Sequence, residues 1–123
     1  MKDGNIQMLD LDFEYKIWKH RLELFINELE ILRARNQDVK SQPKHVSLNP
    51  VELMVLDEHQ SQLEKVYNRI KTQEHEMQFY NKDFPITRTH EYFVDHENLR
   101  KKVTVMTQLH IEKISDLVDE LGI

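Results

Sequence analysis

The stretch that decides the fold is LDLDFEYKIWKHRLELFINELEILRARN, which runs from Leu9 to Asn36. Large apolar residues recur in it at seven-residue intervals, in two interleaved sets. The first set is Leu11, Trp18, Phe25 and Leu32, and the second is Tyr15, Leu22 and Leu29. This repeat lets one helix lie along another with its apolar side chains buried in the contact. The stretch therefore predicts a long helix at about 9–36 that packs against other helices.

A second helix follows a polar connection at 37–49 and begins with a clear start signal. Asn49 is expected to cap the helix, Pro50 suits the first helical position, and Glu52 completes a capping box. Apolar or amphipathic residues then recur at alternating steps of three and four, which predicts a helix at 50–82. The expected buried positions are Leu56, His59, Leu63, Val66, Ile70, Gln73, Met77 and Tyr80.

A third helix is predicted at 89–121, after a turn at 83–88. Pro85 interrupts the helical hydrogen-bond ladder, and Thr87 or Thr89 is expected to cap the helix that follows. Its expected buried positions are Tyr92, His96, Leu99, Val103, Met106, His110, Ile114, Leu117 and Leu121. The sequence thus predicts a single all-α domain over 1–123, an elongated antiparallel three-helix bundle with coiled-coil-like packing that dimerisation could complete.

Composition supports this fold and excludes several functions. The chain has 123 residues, of which 39% are hydrophobic and 32% charged, a balance that suits long helices with solvated faces. The net charge of −5 argues against nucleic-acid binding, which needs a clustered basic face. No apolar run approaches the ~18 residues of a membrane span. There is no cysteine, and no basic segment followed by an apolar stretch opens the chain. We therefore expect a cytoplasmic protein with no membrane or nucleic-acid partner.

The first helix carries a second apolar line, formed by Phe13, Ile17, Leu24 and Ile31. It lies about 200° around the helix from the first set of core positions. One interpretation is a broad core contact with both other helices. The other is a surface for self-association or for a protein partner, because exposed apolar stripes of this length usually have a use. Our preferred version is a homodimer.

Seven histidines form the one unusual feature of the composition. If the second and third helices are antiparallel, His59 lies level with His110, and Glu28 of the first helix lies near them. His75 would lie level with His96. Two imidazoles and a carboxylate at one height could bind a divalent transition metal. The alternative is that these histidines are polar residues of a core that set the register of the helices.

Motifs for catalysis are absent from the sequence. No histidine has an acidic residue three positions before it, so the ligand spacing of di-iron bundles is missing. The two glycines leave no room for a phosphate-binding loop. His75, Glu76 and Met77 start like the phosphotransfer motif of sensor kinases, but the residues that follow do not continue it. The remaining histidines, His20, His45, His75 and His90, are expected on the surface.

Three groups of residues resemble a known family in their order and spacing. They are Trp18, Leu22, Phe25 and Glu28-Leu29; Glu58-His59-Gln60; and Phe93-Val94-Asp95-His96 with Leu99-Arg100. The pattern is similar to that of a family of short, uncharacterised, all-helical bacterial proteins. The resemblance implies a helical bundle from a bacterial cytoplasm, and it implies no activity.

These observations favour a non-enzymatic helical bundle that acts through self-association or binding to a protein partner, with no cofactor. The alternative is divalent-metal binding by His59, His110 and Glu28. The interaction hypothesis predicts that an interface is formed by Phe13, Ile17, Leu24 and Ile31.

Overall fold

The computed structural model describes residues 5–42, 46–80 and 85–122 of the chain. Its elements, in chain order, are β1 (Asn5–Gln7), α1 (Met8–Lys40), α2 (Pro50–Glu76), a 3₁₀ turn (Met77–Phe79), β2 (Pro85–Thr87) and α3 (Glu91–Leu121). The three helices contain 33, 27 and 31 residues and make up most of the structure. The predicted all-α class is confirmed.

Side-chain contacts show that α2 runs antiparallel to α1. Near the start of α1, the Nζ atom of Lys19 lies 2.6 Å from a carboxylate oxygen of Glu74, near the end of α2. Near the end of α1, the guanidinium of Arg33 donates to the side-chain oxygen of Gln60 at 2.9 Å. Residues that advance along one helix therefore meet residues that recede along the other, as the sequence predicts.

The third helix is antiparallel to α2 and parallel to α1. The hydroxyl of Tyr92, at the start of α3, donates to the backbone carbonyl of Gln73 at 2.6 Å and accepts from the hydroxyl of Tyr15 at 3.0 Å. Further along, His110 lies beside His59, near the start of α2. Each helix contacts the other two, so the core lies on the common axis of the three.

The core contains the residues that the helical patterns predict, together with five that they do not: Met8, Val39, Leu48, Ile86 and Phe93. Nearly all expected positions are buried, and only Phe25, Tyr80 and Ile114 are half-buried at its edge. His59, Gln73, His96 and His110 share this interior with the apolar side chains. Among the described residues, no helix is both long enough and apolar enough to cross a membrane.

The first helix continues to Lys40 rather than ending near residue 36. Asn36 is buried, and its side-chain oxygen accepts a hydrogen bond from the backbone N–H of Leu48 at 2.8 Å. The connection thus folds back onto the last turns of α1 and stabilises them. This contact joins residues twelve positions apart, which a periodic pattern cannot reveal.

The predicted end of the second helix, near residue 82, is wrong. α2 ends at Glu76, the 3₁₀ turn follows, and Tyr80 has an extended backbone with φ −118° and ψ 146°. The predicted turn at 83–88 contains β2, which pairs with β1 in an antiparallel register that places Ile6 opposite Ile86. Because this pairing draws the chain into an extended path, it ends the helix earlier than Pro85 alone requires. Residues 81–84 lie outside the described residues.

The third helix begins at Glu91, and neither threonine caps it. Thr87 belongs to β2, where its hydroxyl lies 3.1 Å from that of Thr89. The cap is His90, whose ring Nδ1 accepts the backbone N–H of Tyr92 at 3.1 Å. By contrast, the predicted capping box at the start of α2, between Asn49 and Glu52, is confirmed.

Candidate functional site

Three polar side chains, one from each helix, form a hydrogen-bonded chain through the core. His110 of α3 stands in the middle. Its Nδ1 lies 2.9 Å from Nε2 of His59 on α2, and its Nε2 lies 2.7 Å from a carboxylate oxygen of Glu28 on α1. The structure therefore brings together the three residues whose level was predicted from antiparallel packing. We call them the histidine chain.

Chemistry decides the direction of these hydrogen bonds. An ionised Glu28 carboxylate can only accept, so His110 donates from Nε2. In a neutral imidazole the other nitrogen is then an acceptor, and His59 donates to it from Nε2. Burial, followed by the electrostatic effects of His110 and Lys113, lowers the pKa of His59 to about 4. His59 is therefore neutral at pH 7, and its Nδ1 is an acceptor.

The histidine chain connects two different surfaces of the bundle. Its first end, the carboxylate of Glu28, is 53% exposed on α1. Its other end, His59, lines an open depression of about 590 Å³ between α2 and α3. His110 is buried between them, and the ring of Phe25 stacks on it at 4.0 Å between ring centroids. The histidine chain thus spans the core from one surface of the bundle to the other.

In the histidine chain, the imidazoles of His59 and His110 are hydrogen-bonded directly to each other, with no space for an ion between the facing nitrogens. Within the ranges that the structure describes, no group of three or more histidine and acidic side chains is placed to hold a metal ion. In a tetrahedral zinc site, each imidazole nitrogen lies ~2.05 Å from the ion, so two such nitrogens lie about 3.3 Å from each other. The facing nitrogens of His59 and His110 lie 2.9 Å apart, in direct contact. A metal ion would have to open this hydrogen bond.

A second polar cluster, which the sequence did not predict, lies near the other end of the bundle. A carboxylate oxygen of Glu14 lies 2.6 Å from Nε2 of His96, and the guanidinium of Arg100 donates to both oxygens at 2.7 Å. Burial raises the pKa of Glu14, but the hydrogen bonds from Arg100 and His96 outweigh it, so the pKa is lowered. The i, i+4 spacing of His96 and Arg100 on α3 was the available signal.

His96 is fully buried among aromatic rings. The rings of Tyr15 and Trp18 each lie 4.9 Å from its ring centroid. Burial lowers the pKa of His96, which the hydrogen bond to Glu14 only partly offsets. Its Nδ1 has no hydrogen-bond partner among the described residues. If the ring is neutral and donates to Glu14 from Nε2, its Nδ1 carries no proton and is an unpaired acceptor. Burying this unpaired acceptor costs less than burying a protonated ring, which would have both a positive charge and an unpaired N–H.

His75 lies on the surface, as predicted, and does not contact His96. His75 is exposed, and its ring Nε2 lies 3.1 Å from the side-chain nitrogen of Gln78. Of the other histidines expected on the surface, His20 is exposed and His90 is half-buried as the cap of α3. His45 lies outside the described residues.

The second apolar line of α1 lies on the surface. The exposed fractions of Phe13, Ile17, Leu24 and Ile31 are 65%, 42%, 51% and 61%. These four residues form what we call the outer face of α1. The interpretation as a broad core contact is therefore wrong, because the core is filled from the opposite side of the helix.

No protein-family model, curated protein sequence or solved structure matches the chain.

Proposed function

We propose that the protein is a non-enzymatic bundle that forms a homodimer through the outer face of α1. The observation that carries this proposal is the exposure of four large apolar side chains in line on a single helix face. Scattered apolar residues are normal on a protein surface, but several large ones in line on one helix face typically mark an interaction site. A second copy of the protein is the simplest partner for the outer face of α1.

The spacing of the outer face supports a helix–helix contact. With His20 and Asn27, its residues follow steps of four, three, four, three and four, which is the spacing of a coiled-coil seam. The opposite seam of α1 is already used against α2 and α3. A second seam on the same helix, without a partner in the described chain, suits a second copy of α1 related by two-fold symmetry.

The expected affinity is moderate. Burying the exposed half of each apolar side chain contributes about 1 kcal/mol, and a two-fold interface contains four such side chains from each protomer. This total of about 8 kcal/mol exceeds the lower estimate of the cost of association, about 4 kcal/mol, by only a few kcal/mol. His20 and Asn27 interrupt the seam and lower the affinity further. A dissociation constant on the order of 1 mM follows.

Sedimentation equilibrium from about 10 μM to about 2 mM tests this proposal. We expect a reversible monomer–dimer equilibrium that Leu24→Glu abolishes. Ile111→Glu is the matched control, since Ile111 is 56% exposed on α3 and Leu24 is 51% exposed on α1. It should dimerise like the wild type. A wild-type protein that stays monomeric over this range, or a Leu24→Glu variant that still dimerises, would contradict the proposal.

A further inference from the structure

A long groove runs between α2 and α3. Two adjoining depressions, of about 590 and 610 Å³, share Gln62 and Met106 and form one continuous surface, which we call the α2–α3 groove. Helix α1 contributes no side chain to its lining. Its floor is apolar and is formed by Val51, Met54, Val66, Val105, Met106 and Leu109.

One end of the groove is strongly basic. Lys65 and Arg69 line it from α2, and Lys101 and Lys102 line it from α3. Within the described part of the chain, no carboxylate makes an ion pair with any of the four. Asp95 borders this end without pairing with Arg69 or Lys102. Four unpaired cations around an apolar floor are unusual in a chain of net charge −5, and they favour a negatively charged ligand.

The dimensions of the groove suit a helix. From Val51 to Arg69 it follows nineteen residues of α2, whose ends are about 27 Å apart at 1.5 Å per residue. Two antiparallel helices that leave an apolar furrow between them accept a further helix by the packing that builds four-helix bundles. A partner helix with an apolar stripe would cover the floor, and acidic residues beside that stripe would reach the cations on both rims.

We propose that the α2–α3 groove binds an amphipathic, acidic helix from a protein partner. A fatty acid brings a single carboxylate to a site with four cations. The outer face of α1 from a second copy is flanked by Arg21 and Arg35 as well as by Glu23, Glu28 and Glu30, so it would bring cations together with carboxylates to the basic end. An acidic helix is the occupant whose charge matches the four cations of the basic end, while Glu58 and Lys113 place opposite charges at the other end.

This site does not depend on the dimer. The groove and the outer face of α1 share no residue. A variant that is monomeric because of Leu24→Glu therefore keeps the groove intact. If this variant binds the probe peptide, the groove binds its ligand independently of dimerisation, and failure of one proposal leaves the other intact.

The test uses a fluorescein-labelled eighteen-residue helical peptide with leucines at three- and four-residue steps and glutamates on both sides of them. A second peptide has lysine in place of every glutamate, and a third has the first composition in scrambled order. Fluorescence anisotropy measures their binding to the full chain. We expect only the ordered acidic peptide to bind, with a micromolar dissociation constant that rises several-fold between 50 and 300 mM NaCl.

Two pairs of charge reversals locate the site. Lys65→Glu with Lys102→Glu should raise the dissociation constant at least tenfold. Lys40→Glu with Lys71→Glu changes the net charge equally at exposed positions outside the groove, so binding should change less than twofold. Met54→Ser, at a side chain that is 70% exposed, tests the apolar floor and should weaken binding without affecting folding. Circular dichroism checks that every variant folds.

Several results would overturn the proposal. One is no binding of the ordered acidic peptide up to about 500 μM, and another is equal binding of the lysine or scrambled peptide. A third is equal weakening by both pairs of charge reversals. Displacement of the bound peptide by sub-stoichiometric oleate would assign the groove to a lipid anion. Loss of the wild-type dimer on Lys65→Glu with Lys102→Glu would assign it to a second copy.

Discussion

Replacing His110 by leucine tests whether the histidine chain stabilises the fold through matched polar partners. His110 uses both ring nitrogens, one toward His59 and one toward Glu28, and its ring stacks on Phe25. Leucine occupies a similar volume but offers neither nitrogen. His110→Leu therefore leaves two former partners to find other hydrogen bonds, and their surroundings decide the cost.

The two partners differ in their access to water. The carboxylate of Glu28 is 53% exposed, so water replaces the lost hydrogen bond at little cost. His59 is 4% exposed, and its Nε2 loses its partner inside the core. An unpaired buried donor costs about 1–3 kcal/mol, and loss of the ring stacking adds up to about 1 kcal/mol. We expect His110→Leu to lower the free energy of unfolding by about 2–3 kcal/mol.

Replacing both histidines by leucine isolates the contribution of the hydrogen bond between them. His59→Leu alone leaves Nδ1 of His110 unpaired and should also destabilise, by about 1–3 kcal/mol. His59→Leu with His110→Leu leaves no unpaired group and buries two apolar side chains, so it should be more stable than either single variant. The coupling energy of the two substitutions should exceed about 1 kcal/mol.

Urea unfolding followed by circular dichroism at pH 7.5 and one protein concentration measures these differences. Glu28→Gln is the control, because its amide oxygen still accepts from His110 at an exposed position. Its effect should stay within about 0.5 kcal/mol. If the double variant loses as much stability as the two single variants together, the hydrogen bond between the histidines contributes nothing and the reasoning is refuted.

Three further predictions follow from the same contacts. Because the pKa of His59 is about 4 in the folded protein and 6.5 in the unfolded chain, the unfolded chain binds the extra proton first. Stability from this group is complete above pH 6.5, and the free energy of unfolding should fall by up to about 3 kcal/mol as the pH drops to 4. Urea unfolding across this range should give a shallower fall for His59→Leu, and an equal fall would contradict the assignment. Asn49→Ala removes one half of the capping box with Glu52 and should cost about 1 kcal/mol, with Ser115→Ala, at an exposed position within α3, as a comparison. Since both nitrogens of His110 are engaged, 100 μM zinc should leave the melting temperature within about 1 °C, and elemental analysis of untagged protein should find no stoichiometric metal; a large rise in melting temperature would instead support the metal alternative.

Much of the architecture could be predicted because it depends on positions close together in the chain. The seven-residue pattern of α1 shows which face of that helix is apolar, and Asn49 and Glu52 mark the start of α2 within three residues. The level of His59 and His110 followed from counting residues on either side of a reversal. Glu28 followed from the same count, since its helix runs parallel to α3.

The cluster of Glu14, His96 and Arg100 could not be predicted in the same way. The carboxylate of Glu14 lies more than eighty positions from His96 and Arg100 in the chain. Counting residues along α2 and α3 places His75 level with His96, but it takes no account of α1, which supplies the partner of His96. A third helix changes which polar side chain is nearest, because each buried group selects whichever partner the packing brings within about 3 Å.

Amino-acid order alone determined the three helices, their apolar faces and the residues available for the core, since each of these follows from spacing along one helix. Tertiary packing alone decided that Ile6 pairs with Ile86 in a small sheet, that α2 ends at Glu76, and that the second line of α1 faces outward. The physical reason is that a helix repeats every 3.6 residues wherever it lies. The partner of each face depends on the rotation and sliding of whole helices against one another, which only the summed contacts of the packed chain determine.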